Sequence, residues 1–561
     1  MNKQLTRSGL LGLIIVPLFL APVGQAQDPS PAGTPLSEQV AQRLRNRLEA
    51  SGTSRIEAGS ESIHASIVLP RFYAERLYKP AWSGDRGPLS IADALVQAIM
   101  DAGTEGLTPQ DYHLDRIRAT LAEIRQNQAA GRALNAGRLT DLELLLTDAF
   151  LIYGAHLLAG RTDPMTIHSQ WFANRREADL AQVLENAIRE NQIGQSLRRL
   201  LPPQDGYARL RDALAKYRDI AAQGGWPSVD PGPKLEKGAS GDRVGQLRKR
   251  LQSSGDVLAI ATANPIFDES LVDGVKKFQM RYGLEPDGVV GPATLEVLNV
   301  SAEQRVEQIR VNLERWRWLP QDLGGRHILV NIPNFEMYVR EGKEVVLRMR
   351  AVVGRNYRKT PVFSSEMTYL VLNPYWNVPP NIAVQDKLPL IRKDPGYLVE
   401  QKMKVYQGWG AEAREIDPFS VDWNQIAARG FPFRLRQDPG PLNALGKFKF
   451  MFPNQFNVYL HDTPSRELFS RATRNFSSGC IRLENPMELA EYLLKDDARW
   501  SRARIMSVLN STIDHSVPLP RRIPVHLLYW TAWVDDEGTV QFRQDIYDRD
   551  APVAAALREQ P

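Results

Sequence analysis

Cysteine is almost absent from this sequence, which has a single one, Cys480, among 561 residues. One cysteine excludes a disulfide within the chain, although exported proteins usually use this residue in disulfide pairs. Three interpretations remain: a reactive thiol, a bridge to another molecule, or a small buried core residue. The count alone does not choose among them, so the sequence around Cys480 has to decide.

A dense run of lysine and arginine is also missing. The 70 basic and 65 acidic residues leave a net charge of only +5, and no nucleic-acid-binding motif is present. No group of histidine, cysteine and acidic residues has the spacing of metal ligands. We therefore expect no nucleic-acid partner, no metal and no cofactor, while the mild positive charge suits an anionic cell envelope.

After the N-terminus, no segment is predicted to span a membrane. Residues 1–26 begin with the basic residues Lys3 and Arg7, continue with an apolar stretch over residues 9–23 and end in small residues up to Ala26. This is the pattern of a secretory signal peptide. The apolar stretch is shorter than the about 20 residues that a spanning helix needs. We expect export from the cytoplasm, with an uncleaved membrane anchor as the alternative.

The length of the chain predicts several domains, because single cores rarely grow past about 250–300 residues. Apolar residues recur at helical spacing up to about residue 320 and alternate from about residue 326, with "REGKE" as a hairpin turn. The predicted fold is multidomain α+β. Its segments are a linker over 27–60 with a short helix, a helical scaffold over 61–222, a small three-helix domain over 236–300, a bridging helix over 301–325, a mainly β domain over 326–515 with an insertion at 377–440, and a hairpin and tail over 516–561.

Two details of the β region bear on function. The insertion at 377–440 interrupts the short hairpins by about 60 residues, and loops of this length are often lids or binding loops. Directly after the segment that holds Cys480, Asn485 and Pro486 are expected to cap and start a helix.

The neighbours of Cys480 suit an activated thiol. His461 lies 480 − 461 = 19 residues upstream, at the end of the apparent strand "NVYL". Histidine can remove the thiol proton, and Gly479 permits a tight turn whose N–H groups, at Gly479 and Cys480, point at an oxyanion. Arg482 can hold a substrate carboxylate. The alternatives are that Arg482 pairs with a structural carboxylate and that Tyr459 is an ordinary strand aromatic.

The stretch from "HDTP" to "SSGCIR" resembles the active-site motif of the L,D-transpeptidases, whose catalytic domain is of the YkuD type. In that family a histidine is followed, after a variable segment, by Ser/Thr-His-Gly-Cys and then by Arg or Asn. This chain matches at His461, at Ser477 or Ser478, and at Gly479, Cys480 and Arg482. It departs at Ser478, where many members have histidine. The large YcbB-type subgroup is similar to this chain at that position, so the departure is expected within it.

The resemblance covers most of the chain. Residues 236–300 are similar to a three-helix peptidoglycan-binding domain, and residues 61–222 to the scaffold domain of the YcbB-type subgroup. Residues 377–440 fall where that subgroup carries a capping subdomain, and residues 438–450 are similar to the segment that leads into its catalytic strand. The matches in the three-helix domain are Phe278, Gln279, Asp287, Gly288, Gly291, Thr294 and Leu298.

This resemblance implies a cysteine acyltransferase acting on the tetrapeptide stems of peptidoglycan. The Cys480 thiolate would attack the carbonyl at the L-centre of the third residue, meso-diaminopimelate, and D-alanine would leave. The side-chain amine of a second stem would then resolve the thioacyl-enzyme into a 3–3 cross-link. His461 would act as the base. A backbone carbonyl would orient its ring, and the Asp462 carboxylate is not assigned that orienting role.

The resemblance also implies the rest of the site and its setting. Three residues are expected to position the turn or steady the oxyanion, and three to bind the stem: Gly479, Ser478 and Tyr459 for the first role, and Arg482, Trp376 and Asn377 for the second. For Trp376 the alternative is a packed aromatic. We further expect a periplasmic monomer in cell-wall biogenesis and cell shape, with other cell-wall synthesis enzymes as partners.

Other functions remain open at the level of sequence. Water or a free D-amino acid as acceptor would make the protein a carboxypeptidase or an exchange enzyme, and a lipoprotein lysine as acceptor would make it an attaching enzyme. A protein of another class, a non-catalytic wall binder, would be expected to lose part of the set at positions 461, 479, 480 and 482. A structural dimer bridged through Cys480 would dissociate in reductant.

Overall fold

The computed structural model describes residues 33–51, 55–172, 175–258, 265–408, 410–426 and 430–559. The predicted signal peptide over residues 1–26 lies outside the described residues. Helices dominate as far as residue 317 and strands dominate afterwards. The predicted multidomain α+β fold is therefore confirmed.

The N-terminal part is a helical domain. Its elements are α1 (Leu36–Ser51), β1 (Glu57–Ala58), β2 (Glu61–Ser62), α2 (Val68–Glu75), β3 (Ser83–Gly84), β4 (Gly87–Pro88), α3 (Ser90–Met100), α4 (Leu114–Ala129), α5 (Ala136–Ala159), α6 (Pro164–Ile167), β5 (Trp171–Phe172), α7 (Leu180–Arg189), α8 (Ile193–Arg198) and α9 (Asp205–Ala222). Helices α1–α5, α7 and α8 share one apolar core, whereas the buried residues of α9 belong to a second core that also contains residues of the helix Ala302–Arg317.

Helix α5 is the centre of that core. The Asn135 side chain accepts hydrogen bonds from the backbone N–H groups of Gly137 and Arg138 and so caps the helix. Among the described residues, α5 is the one helix long and apolar enough to cross a membrane. It is buried on nearly all sides by its neighbours, so its apolar character is that of a core helix.

Helix α1 lies in the stretch for which the sequence predicted a linker with a short helix. Val40, Leu44 and Leu48 recur every four residues on one side of it, and all three are buried in the core of the helical domain. This spacing places them on a single helical stripe. The described residues from 36 onwards therefore belong to the helical domain instead of to a linker.

The small domain contains α10 (Asp242–Ser253), α11 (Glu269–Arg281) and α12 (Pro292–Leu298), as the sequence predicted. The buried Gln279 holds its turn-rich middle. The Gln279 side-chain amide donates to Asp287 Oδ1 at 2.7 Å and to the Val289 carbonyl at 3.0 Å, and its Oε1 accepts the Gly288 N–H at 2.9 Å. One buried amide thus satisfies the turn that follows α11.

Helix α13 (Ala302–Arg317) bridges the domains. The Ser301 hydroxyl accepts the Gln304 N–H and the Gln304 side chain accepts the Ser301 N–H, forming a capping box. From residue 309 onwards almost every side chain is buried, including Trp316, which stacks on Trp530 with ring centroids 4.2 Å apart. A helix that is buried all round lies in the interior of a protein, so α13 is part of the core as well as the connection between domains.

The β domain begins with β6 (Arg326–Asn331), β7 (Glu336–Glu341), β8 (Glu344–Val352) and β9 (Val362–Leu372). Strands β7 and β8 form the predicted hairpin. A smaller unit follows, which we call the cap. It contains β10 (Trp376–Asn377), α14 (Pro380–Ile382), α15 (Leu388–Lys393), α16 (Gly396–Glu400), β11 (Met403–Gln407), β12 (Arg414–Ile416) and β13 (Phe433–Gln437), with the strands in the order β10-β13-β11-β12 around a core of their own.

The main sheet is completed by β14 (Phe448–Met451), β15 (Leu460–His461), β16 (Ile481–Leu483) and β17 (His515–Leu528), with α17 (Pro486–Leu494) and α18 (Arg502–Asn510) packed on it. The strand order is β14-β15-β16-β8-β7-β6-β17-β9-β5, and β14 also pairs with β9. That pairing closes the sheet on itself. Closure protects the strand edges and brings β14, β15 and β16 together beside the cap.

The C-terminal segment is more than a hairpin and tail. After β17, the hairpin β18 (Ala532–Val534) and β19 (Val540–Phe542) and helix α19 (Asp550–Ala556) pack against α13. Strand β17 lies inside the main sheet between β6 and β9, so the predicted boundary at 515/516 is wrong. Pro518, Pro520 and Pro524 obscured this strand in the sequence, because proline is unusual within a sheet.

Candidate active site

Three neighbouring strands place the candidate residues on one face of the sheet. His461 of β15 lies opposite Lys449 of β14 and opposite Arg482 of β16. Tyr459 and Cys480 come directly before β15 and β16 and lie beside these side chains. The Tyr459 ring centroid is 5.6 Å from that of His461 and 4.2 Å from Lys449 Nζ, and Tyr459 hydrogen-bonds Cys480. The intervening residues point to the opposite face and are buried in the core: Phe450, Leu460 and Ile481. The strands thus turn an alternating sequence into an apolar face and a reactive face.

The turn "SSGC" is held by its first serine. The buried Ser477 hydroxyl accepts the Gly479 N–H at 3.1 Å and donates to the Cys480 carbonyl at 2.5 Å. Gly479 has φ +115°, a region that favours glycine. The Gly479 N–H is therefore engaged, which corrects its predicted role as an oxyanion donor. The Cys480 N–H has no acceptor among the described residues and remains free for that role.

His461 is held as a neutral base. Its Nδ1–H donates to the backbone carbonyl of Asp462 at 2.5 Å, which leaves Nε2 unprotonated in the neutral ring. Burial, with the Arg482 charge, lowers the pKa of His461 to about 3. The Asp462 carboxylate instead accepts the Lys447 N–H at 2.8 Å and pairs with Arg466 at 3.1 Å. The orienting group is thus a backbone carbonyl.

Cys480 is partly exposed, and its Sγ lies 3.8 Å from the Asn457 carbonyl. Burial raises the pKa of the thiol above its ordinary value, although hydrogen bonding from Tyr459 and the charges of Lys449 and Arg482 oppose this shift. The pKa of Tyr459 is raised well above its usual value by burial and by Cys480, so its hydroxyl is a donor. Among the described residues, Sγ makes no hydrogen bond to His461. Cys480 and His461 lie at the same face of the sheet, but no hydrogen bond joins them.

Arg482 has no ion-pair partner among the described residues within 4.0 Å, and its Nε is buried without an acceptor. Burial, together with the nearby Arg355, lowers its pKa. The alternative of pairing with a structural carboxylate is therefore wrong. With Lys449 and Arg355, Arg482 gives the thiol a positive surrounding that suits an anionic ligand group.

The two residues proposed at the mouth of the cap lie on β10. Trp376 is 7% exposed and belongs to the apolar core of the cap, with Lys387 Nζ 5.5 Å from its ring centroid. Asn377 is exposed and pairs with Arg436 of β13. The packing of Trp376 is that of the alternative, a packed aromatic. A substrate contact by either residue stays a prediction.

A residue that the sequence did not single out ties the thiol turn to the cap. The Arg358 guanidinium donates to Ser478 Oγ at 2.9 Å, to Gln385 Oε1 at 2.7 Å and to Asp386 Oδ1 at 2.7 Å. Ser478, predicted as a positioning residue, is thus itself positioned by Arg358. The only signal in the sequence was the basic stretch "RNYRK" before β9, which reads as solvated charge.

Asn485 precedes α17 but does not cap it. Pro486 occupies the first turn as predicted, whereas the Asn485 side chain makes no capping hydrogen bond.

No group of three or more histidine, cysteine and acidic side chains in the described part of the chain has the arrangement of a metal site.

Family models match three segments of the chain. Residues 68–214 match "Scaffold domain", residues 240–298 match "Putative peptidoglycan binding domain", and residues 325–506 match "L,D-transpeptidase catalytic domain". A Haemophilus influenzae protein named "Putative L,D-transpeptidase" is 39% identical over 258 residues, which are 46% of this chain and 51% of the relative. The chain thus spans about half the length of that relative.

Two further likenesses are more limited. The amidase CwlL of Bacillus licheniformis is 39% identical over 71 residues, which are 13% of this chain and 20% of that protein. The solved L,D-transpeptidase of Stackebrandtia nassauensis is 12% identical, covering 54% of this chain and 96% of its own, with a TM-score of 0.21. That score is too low to establish a common fold.

Proposed function

We propose that this chain, in which a YkuD-type L,D-transpeptidase catalytic domain is joined to a scaffold domain and a peptidoglycan-binding domain, is a cysteine-dependent L,D-transpeptidase that forms 3–3 cross-links in peptidoglycan. One observation carries the proposal. Cys480, a neutral His461 with an unprotonated Nε2, and an Arg482 that has no ion-pair partner among the described residues lie at one face of the closed sheet. A decayed, non-catalytic wall binder has no reason to keep this set.

The residues act in a defined order. His461 Nε2 takes the thiol proton as Cys480 Sγ attacks the carbonyl of the third stem residue. The carbonyl electron pair moves to oxygen, and the Cys480 N–H, with the Tyr459 hydroxyl, stabilises that charge. When the tetrahedral adduct collapses, the C–N bond to D-alanine breaks and His461 returns the proton to the leaving amine. The product is a thioacyl-enzyme.

The second half of the reaction repeats these roles. The side-chain amine of another stem attacks the thioester carbonyl, and the Cys480 thiolate leaves. Arg482 is suited to hold a stem carboxylate, since no carboxylate among the described residues pairs with its guanidinium. Water as acceptor would give a carboxypeptidase, and a lipoprotein lysine would give an attaching enzyme. These alternatives share the acyl-enzyme and differ only in what resolves it.

The test is the reaction itself, with products identified by mass spectrometry. The protein and its Cys480→Ala form are incubated with purified disaccharide-tetrapeptides. Dimers that have lost one D-alanine, formed only with Cys480 present, support transpeptidation, whereas tripeptides alone point to carboxypeptidase activity. No product from a folded protein that still binds peptidoglycan would contradict the proposal and favour a wall binder.

Arg482 is tested in the same assay. Arg482→Ala is expected to lower kcat/KM about 10- to 100-fold, because a charged hydrogen-bonding group contributes about 1.5–3 kcal/mol. Arg499→Ala, which removes an arginine whose side chain is 85% exposed, is the matched control and should leave kcat/KM unchanged. Equal effects of the two changes would remove Arg482 from the site.

The setting of the reaction is also proposed. Peptidoglycan as substrate requires a location outside the cytoplasm, which the signal-peptide pattern of residues 1–26 supports. We expect a periplasmic monomer that works beside other cell-wall synthesis enzymes. Cell fractionation, with sedimentation of the purified protein, tests location and oligomeric state together.

A further inference from the structure

We infer that Thr360 and Tyr547 are positioning residues that set the direction of the oxyanion donor at Cys480. The inference rests on the proposed function, since an oxyanion forms only if Cys480 attacks a carbonyl. It goes further by assigning two buried hydroxyl groups, one of them beyond residues 325–506 of the family match, to the geometry of the thiol turn.

The two hydroxyl groups form one buried chain of hydrogen bonds. Thr360 Oγ1 donates to the Gly479 carbonyl at 2.9 Å and accepts the Gly354 N–H at 2.9 Å. Tyr547 Oη donates to the Gly354 carbonyl at 2.6 Å and accepts the Thr360 N–H at 3.2 Å. Thr360 and Tyr547 are fully buried. Each hydroxyl has one proton and one fixed acceptor, so neither can rotate to another arrangement.

This chain fixes the peptide unit between Gly479 and Cys480. In a trans peptide the C=O and N–H bonds point in opposite directions. Thr360 holds the Gly479 carbonyl on its own side, so the Cys480 N–H is directed to the other side. The Cys480 N–H has no acceptor among the described residues. Thr360 therefore directs the Cys480 N–H away from the loop that contains Thr360.

The supporting loop packs closely against the turn. A Cβ added to Gly354 would lie 2.1 Å from the Arg358 carbonyl and 3.1 Å from Gly479 Cα. Residues 354–360 thus lie directly behind the thiol turn. Tyr547 supports this loop from the C-terminal segment, where Tyr529 Oη accepts the Tyr547 N–H at 2.8 Å.

Two reactions of the same thiol separate positioning of the donor from general disorder. p-Nitrophenyl acetate is attacked at its carbonyl: an S–C bond forms, the carbonyl pair moves to oxygen, and p-nitrophenolate leaves as the C–O bond breaks. Iodoacetamide is attacked at a saturated carbon: an S–C bond forms and iodide leaves, with no oxyanion. Only the first reaction depends on the Cys480 N–H.

The variants are Thr360→Val, Thr360→Ser and Tyr547→Phe. Loss of a whole oxyanion donor costs about 10²–10³-fold, and a misdirected donor should cost less. We expect Thr360→Val to slow acetylation of Cys480 about 10- to 100-fold and Tyr547→Phe to slow it several-fold, with iodoacetamide alkylation within twofold of wild type in both. Thr360→Ser, which keeps the hydroxyl, should restore acetylation. Thr140→Val, another buried threonine with a hydroxyl bonded within α5, is the matched control.

Several outcomes overturn the inference. Equal slowing of both reactions would mean that the hydroxyl groups only support the fold, and unchanged acetylation would mean that they do not aim the donor. If the wild-type thiol is not acetylated, Cys480 does not attack a carbonyl and no oxyanion forms, so the inference fails. If Thr360→Val does not fold, the serine and phenylalanine variants carry the same comparison. Normal acetylation without reaction on tetrapeptides would contradict the proposed function while leaving the positioning result intact.

Discussion

At the scale of single residues, the site is defined by the protonation states of His461 and Cys480 before substrate binds. Burial keeps the imidazole of His461 neutral and raises the thiol pKa, so both groups are uncharged near neutral pH. The positive charges of Lys449 and Arg482 favour the thiolate but do not outweigh burial. The resting state is then a thiol beside a free imidazole nitrogen, in contrast to a thiolate–imidazolium ion pair. Substrate has to trigger the proton transfer.

This resting state predicts the pH dependence of thiol reactivity. The rate of iodoacetamide alkylation of Cys480 should rise about tenfold per pH unit from pH 6 to 8.5 without a plateau, because the thiolate fraction grows in that way below the pKa. No inflection should appear near pH 6.5, since the pKa of His461 is about 3. Lys449→Met should move the curve to higher pH. A plateau below pH 7 would contradict a neutral resting pair.

Sequence reasoning found the reacting groups but not their hydrogen bonds. Cys480 and His461 stand out because their residue types are rare here, and because Cys480 follows a glycine turn while His461 ends an apparent strand. Which N–H of the turn is free depends on the rotamer of Ser477, and a rotamer is not written in a sequence pattern. Likewise, Thr360 and Cys480 are 120 residues apart, and the pairing of β8 with β16, extended by the bridge between Gly354 and Ser477, brings their loops together.

At the scale of elements, α13 connects the domains through buried charge. Glu314 pairs with Arg317 at 3.0 Å, with side chains 0% and 1% exposed, and also accepts the Thr162 N–H at 2.8 Å. Arg317 in turn donates to Tyr207 Oη at 3.0 Å. The helical domain and α13 thus share one hydrogen-bonded network.

Breaking this network should be costly. Glu314→Gln removes the carboxylate paired with the buried Arg317 and leaves only the more distant Glu105 charge to compensate it, and removal of one partner from a buried pair costs about 3–5 kcal/mol. We expect the free energy of unfolding, measured with urea, to fall by about 3 kcal/mol. Glu236→Gln breaks an exposed pair with Lys234 and should change it by less than about 0.5 kcal/mol. Similar effects of the two changes would show that the α13 network contributes little.

The link between the cap and the thiol turn gives a second prediction at this scale. Asp386→Ala removes the carboxylate that holds Arg358, a charged hydrogen-bonded contact worth about 1.5–3 kcal/mol. Amide hydrogen exchange over residues 380–393 should therefore accelerate about 10- to 100-fold. Glu415→Ala, at a half-exposed pair with Lys404 in the same cap, should leave that exchange unchanged. Unaltered exchange in Asp386→Ala would place the anchor of the cap elsewhere.

Element boundaries were the least predictable part of the fold. Hairpin β7–β8 and helix α5 followed from their periodicity, because both patterns are continuous. Helix α1 was missed as a core element because three apolar residues in a polar stretch look like a solvated helix until a partner surface is known. Strand β17 was hidden by prolines, which the pairing with β9 accommodates through a shift of register between Pro518 and Ile523.

At the scale of the whole molecule, burial of neutral histidines links stability to pH. Burial lowers the pKa of His526 to about 4, of His168 to about 4 and of His156 to about 3. Below about pH 6.5 the unfolded chain binds protons at these positions and the folded chain does not. Stability from these groups is therefore present above pH 6.5 and is lost as the pH falls from 6.5 towards 4. His113, whose pKa is raised, acts in the opposite sense and only above pH 6.5.

His526 allows this linkage to be measured for one group. Its ring bonds Ser364 Oγ at 2.8 Å and the Leu323 carbonyl at 2.9 Å, and the residue is 3% exposed. One group loses about 1.4 kcal/mol per pH unit between its two pKa values. His526→Gln should therefore reduce the difference in unfolding free energy between pH 7 and pH 5 by about 2 kcal/mol, whatever its cost at pH 7.

The comparison needs only urea unfolding of wild type and variant at the two pH values. His515→Gln, at an exposed histidine of the same strand, is the matched control and should leave the pH 7 to pH 5 difference unchanged. An unchanged difference in His526→Gln would mean that the folded chain takes up a proton at His526 as readily as the unfolded chain does. In that case the loss of stability between pH 7 and pH 5 would have to originate in the other buried histidines, His168 and His156.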